Sequence, residues 1–207
     1  MEHVTDQSVV VTGATAGIGF QTALDFAASG AYVIGVGRSP QRCTEATNKI
    51  RFHIPDARVE FLTADLSSQQ QVRGLASQID QLLEKNHFKA LNVLVNNAGV
   101  YMGKKEMTTD GIETTFAVNH LAPFLLTHLL LPVLEKSPES RVITVSSESH
   151  FHTHINPEHA ANPSLFFGLT AYKVSKLANI LFSLELNRLR AGKPPRAFAV
   201  DPGLVNT

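Results

Sequence analysis

Six short runs rich in β-branched residues, at 8–12, 31–36, 58–62, 91–96, 141–146 and 196–200, alternate with segments of helical period at about 18–29, 40–52, 68–86, 112–135 and 171–190. Runs that stay apolar without strict alternation belong to strands buried on both faces, and parallel strands need crossover helices between them. The pattern predicts an α/β fold, a doubly wound parallel sheet with helices on both faces. No repeat, low-complexity tract or charged linker interrupts it, so residues 1–207 are expected to form one domain. Right-handed crossovers put the ligand crevice at the carboxyl ends of the strands. The glycine and polar clusters described next fall just after these runs, or on the helices that follow them, and converge on that crevice.

Composition excludes several function classes. Eighteen Lys and Arg balance eighteen Asp and Glu, so no overall field favours nucleic acid or an anionic membrane, and the expected partner is a small molecule. The single cysteine, Cys43, cannot form an intramolecular disulfide; it fits a reducing compartment, and a cytoplasmic location is expected. The first six residues have no basic segment followed by a long apolar core, so no signal peptide is expected. The most apolar later stretch, 121–134, contains Thr127, His128 and two prolines. It is shorter than the ~20 residues of a spanning helix, and no transmembrane segment is expected.

The first run ends in T-G-A-T-A-G-I-G, residues 12–19, and a helical pattern begins at once. Gly13, Gly17 and Gly19 permit a tight turn and close approach to a pyrophosphate, while a helix N-terminus offers unpaired N–H groups. The spacing G-x-x-x-G-x-G differs from the commoner G-x-G-x-x-G, and a tight turn without ligand is the alternative. Arg38 follows the second run. An acidic residue there would hold ribose hydroxyls and repel a 2′-phosphate, whereas arginine attracts one. No Asp or Glu occurs in 35–42 and Arg42 adds a second cation, which favours NADP(H) over NAD(H); a solvated surface charge is the alternative. Asp65, after the third run, either hydrogen-bonds an adenine amino group or caps the next helix.

The fourth run ends in N-N-A-G, residues 96–99, and Asn119 interrupts an otherwise apolar helix. Its carboxamide must be satisfied, either by backbone or by a water near a reacting centre. The fifth run ends at Ser146 and puts the Ser147 hydroxyl at the crevice. Tyr172 and Lys176 stand four apart on a helix and share a face. A free phenol titrates near ~10 and is a poor acid–base group at neutral pH, but a neighbouring ammonium favours its ionised form. Alone, Y-x-x-x-K also fits an exposed helix surface.

Taken in order, T-G-x-x-x-G-I-G, N-N-A-G, a lone Asn, a Ser after the fifth run, Y-x-x-x-K and P-G resemble the short-chain dehydrogenase/reductase family over essentially the whole chain. The resemblance implies a Rossmann-like domain in which residues 12–19, including Thr15 and Ile18, cradle the cofactor phosphates. It implies that Asp65 and Leu66 contact adenine and that Asn97, Ala98 and Gly99 line the nicotinamide side. Asn119, Ser147, Tyr172 and Lys176 would form the catalytic tetrad, with Lys176 also gripping the nicotinamide ribose, and Pro202, Gly203, Val205 and Thr207 would close on the nicotinamide. The implied activity is hydride transfer between NADP(H) and a carbonyl or alcohol, with Tyr172 as general acid and base. R-V-I-T-V-S-S-E-S-H (141–150) and A-Y-K-V-S-K-L-A-N-I-L-F (171–182) resemble the branch of retinol dehydrogenases and WW-domain-containing oxidoreductases. That branch handles lipophilic, retinoid- or steroid-like substrates. Family members normally continue through a substrate-covering segment after the point corresponding to Thr207, so a C-terminally short domain is expected. A cofactor-binding regulatory protein with little turnover is the second reading.

The stretch between Ser147 and Tyr172 is longer than in most of the family and carries His150, His152, His154 and His159. No cysteine or second ligand cluster accompanies them, so no metal is expected, and a solvated loop near the substrate entrance is. A packing or surface role is expected for Cys43. The helices around 116–134 and 172–189 carry more apolar surface than one sheet face requires. Burial within the subunit and a homodimer across these helices both account for it.

Overall fold

The computed structural model describes residues 4–203. Six strands, β1 (Ser8–Thr12), β2 (Tyr32–Gly37), β3 (Val59–Thr63), β4 (Val93–Asn96), β5 (Arg141–Val145) and β6 (Arg196–Val200), form one parallel sheet in the order β3-β2-β1-β4-β5-β6. Successive strands step outward from β1 to one side, and after β4 to the other. The connections therefore part at the carboxyl ends of β1 and β4, which opens a crevice there.

Alternate side chains of the uninterrupted apolar strands enter different cores. Val10, Ile34 and Leu94 join a core with α3 (Gln69–Lys85), α5 (Ala122–Leu134) and α7 (Gly168–Arg190). Val9, Val11, Val33, Val93 and Val95 join a second core with α1 (Gly17–Ala28) and α2 (Pro40–His53). Local chemistry sets the helix starts. Ser39 caps α2 by accepting from the Arg42 N–H, with Pro40 at the first turn, and Ser68 caps α3 by accepting from the Gln71 N–H. On α3, Val72, Leu75, Ala76, Ile79 and Leu83 fall on one face at helical spacing and are buried.

Every expected strand and long helix forms, with ends displaced by up to three residues. Three features differ from the sequence expectation. The fourth helix is composite: α4 (Thr114–Phe116), a π turn (Ala117–Leu121) and α5 run on without a break. At 21 residues, Thr114–Leu134 is long and apolar enough to cross a membrane, so the length argument made from 121–134 does not hold. Half of its apolar window is buried, and α5 packs on α3 within the sheet's own core. The histidine-bearing segment also contains structure: a 3-10 turn (Glu148–His150) and α6 (Pro157–Ala160). It docks mainly through backbone carbonyls: that of Ala161 accepts from the Glu113 N–H at 2.7 Å, and that of Pro163, together with Asn162 Oδ1, accepts from Lys105 Nζ.

Leu94, fully buried at the centre of the sheet, tests this core. Leu94→Ala is expected to cost about 2–5 kcal/mol, read as a lower urea midpoint at unchanged slope.

Candidate active site

The crevice begins with a clasp between β1 and β4. Thr12 Oγ1 accepts from the N–H groups of both Asn97 (3.0 Å) and Ala98 (3.1 Å), and Asn97 Nδ2 returns bonds to the carbonyls of Thr12 (2.9 Å) and Gly13 (3.4 Å). The glycine turn is pressed against this clasp. Gly13 and Gly17 take φ of +67° and +54°, which L side chains rarely adopt. A Cβ on Gly19 would overlap the Gly13 carbonyl and the Asn97 amide. The turn delivers the chain to α1, whose first turn has no side-chain cap and no acidic residue. Its N–H groups and positive dipole end thus face the crevice, which suits a phosphate. These residues fit a dinucleotide: a backbone cradle that side chains would fill, beside an uncapped helix start.

A cleft of about 660 Å³ brings the predicted residues together. Gly13, Thr15, Gly17, Ile18 and Gly19 form one wall, Arg38, Asp65 and Leu66 a second, and Asn97, Ala98 and Gly99 the floor, with Ser147, Tyr172, Lys176, Pro202 and Gly203 opposite. Val205 and Thr207 lie outside the described residues. Arg38 is exposed at the end of β2, with Ser39 and Pro40 turning the chain away behind it. Asp65 does not cap α3, since Ser68 does so; its carboxylate accepts from the Ser67 N–H at 2.9 Å.

Asn119 is the departure. It does not line the cleft: it is 1% exposed, on the π turn behind the wall. Its Oδ1 accepts from the Val100 N–H (2.7 Å) and its Nδ2 donates to the Val100 carbonyl and to Ser175 Oγ (both 3.0 Å). The carboxamide thus braces the chain after Gly99, which is the backbone role of the two the sequence allowed. Ser147 Oγ donates to Ser149 Oγ (3.1 Å) and accepts from the Ser149 N–H, which fixes its rotamer at the end of β5.

Lys176 lies four residues past Tyr172 on α7, and its Nζ stands 5.4 Å from the Tyr172 ring centroid. It is 3% exposed and donates to the Val145 carbonyl at 3.0 Å. Burial of the ammonium pulls its pKa down to about 8. Tyr101 packs edge-on against Tyr172, with ring centroids 6.1 Å apart, and lines the same cleft. A phenol backed by a buried amine, beside a hydroxyl and a nucleotide-shaped cradle, can move a proton at one end of a hydride transfer.

Sequence reasoning missed Ser175 and Asn179. It placed Thr12 in the glycine motif but not its hydrogen bonds to Asn97 and Ala98 across the crevice. Asn179 and Ser183 were findable, as polar residues one and two turns past Lys176 on the same face. The four histidines do not converge: among the described residues no group of three His, Cys, Asp or Glu could hold a metal. His150 Nδ1 lies 2.6 Å from the Ser147 carbonyl, and His152, His154 and His159 are exposed. Cys43 is buried beneath Gly37, against the Leu62 carbonyl.

Among known proteins, the chain is 39% identical over 210 residues to polyprenol dehydrogenase of Homo sapiens, covering 98% of this chain and 62% of that protein. It is 42% identical over 211 residues to WW domain-containing oxidoreductase of Homo sapiens (96% and 49% covered), and 40% over 203 residues to retinol dehydrogenase 12 of Mus musculus (98% and 63%). The chain thus spans between about half and two thirds of the length of these relatives. A solved protein of Mycobacterium paratuberculosis superposes with TM-score 0.86 at 36% identity, covering all of this chain and 72% of that one. A metagenomic short-chain oxidoreductase in complex with NADP superposes at 0.77 with 25% identity, covering 99% and 85%. The sequence profile of the short chain dehydrogenase family matches residues 7–207, and with the crevice, cradle and Tyr172–Lys176 pair at one site, the chain belongs to the short-chain dehydrogenases, on the side of the retinol dehydrogenases and WW domain-containing oxidoreductases.

Proposed function

We propose that this protein is an NADP(H)-dependent oxidoreductase that interconverts a lipophilic carbonyl compound and its alcohol, with Tyr172 as the proton-transferring group. The observation that carries the proposal is the convergence of Ser147, Tyr172 and buried Lys176 on the cleft that the glycine turn opens. Residues 13–19 and the start of α1 would hold the pyrophosphate, and Asp65 and Leu66 the adenine. Asn97, Ala98, Gly99, Lys176, Pro202 and Gly203 would hold the nicotinamide end. Arg38 supports the 2′-phosphorylated cofactor, because its guanidinium borders the cleft where a carboxylate would otherwise favour a free ribose hydroxyl.

When bound, the nicotinamide supplies or accepts the hydride. In the reducing direction Tyr172 donates its phenolic proton to the substrate oxygen while Ser147 Oγ hydrogen-bonds the same atom. The Lys176 ammonium, held by the Val145 carbonyl, stabilises the negative charge that then develops on the phenolic oxygen. Asn119 acts on the backbone, holding the segment after Gly99 against α7. The similarity to retinol and polyprenol dehydrogenases supports a lipophilic substrate. So do Phe167 and Leu169, both exposed, flanking Gly168 where it packs against the Met102 carbonyl and the Tyr101 hydroxyl.

A second copy is proposed to cover the apolar face of α5 and α7, where Phe124, Leu181 and Leu189 are exposed around a groove of about 560 Å³. Sedimentation of the wild type is expected to give a dimer and Leu181→Glu a monomer; a wild type that sediments as a monomer ends this part of the proposal.

The central test is Tyr172→Phe. Loss of a positioned acid–base group is expected to lower turnover of a retinoid-like aldehyde by roughly 10²–10⁴-fold with NADPH affinity nearly unchanged; undiminished turnover would falsify the mechanism. NADPH at 100 Kd is expected to stabilise the wild type by about 2.7 kcal/mol over the cofactor-free protein and to raise its melting temperature more than NADH does, and Arg38→Asp to reverse that order. Lys176 gives a pH signature. Its folded pKa of about 8 lies below the ordinary 10.5, so between these values the unfolded chain binds more protons and stability rises with pH. In cofactor-free protein, the stability difference between wild type and Lys176→Met should be flat below pH 8 and grow in favour of the wild type towards pH 10.5. A difference that stays flat throughout means that Lys176 is not depressed.

A further inference from the structure

Asn179 sits on α7 three residues past Lys176, is 1% exposed, and uses its whole carboxamide inside the protein. Nδ2 donates to the Asn119 carbonyl at 2.9 Å and to the Val145 carbonyl at 3.3 Å, and Oδ1 lies 3.1 Å from His120 Nδ1. Both partners of Nδ2 belong to the site. The Val145 carbonyl is the acceptor that holds Lys176 Nζ, and Asn119 carries the carboxamide that braces Val100 against Ser175.

The chain itself creates the need for such a donor. An α-helix would satisfy the Asn119 carbonyl with the N–H four residues on, but that residue is Pro123, which has none. The π turn at Ala117–Leu121 already displaces the local ladder by one residue. Asn179 reaches across from α7 to supply the bond. Its two N–H groups point at carbonyls, so its Oδ1 must accept, which places the proton on His120 Nδ1. His120 is packed among Phe116, Phe124 and Phe182, burial lowers its pKa, and its Nδ1–H is the donor that braces Asn179.

We propose that Asn179, oriented by His120, is a positioning residue that ties the Asn119 turn to the Val145 carbonyl and so sets where Lys176 stands behind Tyr172. The proposal rests on the oxidoreductase reading above for its effect on rate, and on geometry alone for its effect on Lys176. Lys176 faces the Val145 carbonyl and the Tyr172 ring, and among the described residues no carboxylate pairs with it. Its titration therefore reports those contacts.

The experiment compares Asn179→Leu, His120→Phe and His120→Asn with wild type and Tyr172→Phe. His120→Asn keeps an N–H near the imidazole Nδ1 position, whereas His120→Phe fills the aromatic pocket without a donor. Turnover of a retinoid-like aldehyde with NADPH is measured alongside NADPH affinity, and the Lys176 ammonium is titrated by 15N NMR in lysine-labelled protein. In Asn179→Leu, kcat should fall about 10²-fold, the scale of an ångström-level misplacement. KM and NADPH affinity should stay near wild type, and the Lys176 titration should move. His120→Phe should shift both readouts in the same direction and His120→Asn should restore them; this pair carries the test if Asn179→Leu does not fold. A lower melting temperature with unchanged kcat and unchanged Lys176 titration overturns the proposal and leaves Asn179 as helix packing. If Tyr172→Phe turns over like wild type, the oxidoreductase reading fails instead, and the NMR titration still decides the role of Asn179.

Discussion

Where β1 and β4 end side by side, their chains leave in opposite directions, and the gap between them has to be held open at a fixed width. Thr12 and Asn97 do this with four hydrogen bonds between side chain and backbone, across two strands more than eighty residues apart in sequence. Buried backbone groups that lose their ladder partners at a strand end must find others, and here the partners span the crevice. The glycine turn can press against the clasp only because Gly13 and Gly19 lack side chains. Loosening the clasp would move both the glycine turn and the floor of the cleft.

The catalytic side depends on a second buried network, made almost wholly of neutral groups. Asn119, Ser175, Asn179, Ser183, Ser146 and Lys176 are all buried, and each finds a partner among backbone carbonyls or each other. A buried ammonium with only a carbonyl and an aromatic ring for company is held at a cost, visible in its lowered pKa. That cost is local to the group whose charge the proposed chemistry uses, whereas the surrounding amides and hydroxyls are satisfied and rigid.

Much of this was legible in the sequence because it depends on local pattern. Period and composition of the runs gave the strands, and the break between sheet halves followed from the crossover rule. The glycine spacing, Arg38 and the Tyr172/Lys176 interval each carry their chemistry within a few residues. Other features were not legible. The π turn arises where Pro123 removes a helical donor and a residue sixty positions away replaces it, and no window of sequence contains both. Asn119 allowed either a backbone bond or a water, and which groups satisfy it was not legible, because its three partners come from the Gly99 loop and from α7. The histidine-rich stretch looked solvated because its polar side chains are exposed, yet its backbone docks on the segment before α4 through Lys105 and Glu113.

The amino-acid order by itself determined the doubly wound sheet, the glycine turn with its helix, and the identity of the groups presented at the carboxyl ends of the strands. These follow from backbone sterics, burial period and short-range spacing. Only the tertiary structure decided that Asn119 stands behind the cleft wall, that Asp65 leaves capping to Ser68, and that Lys176 is stripped of water. Each depends on what distant elements bring to within hydrogen-bonding distance, and on how much solvent they exclude.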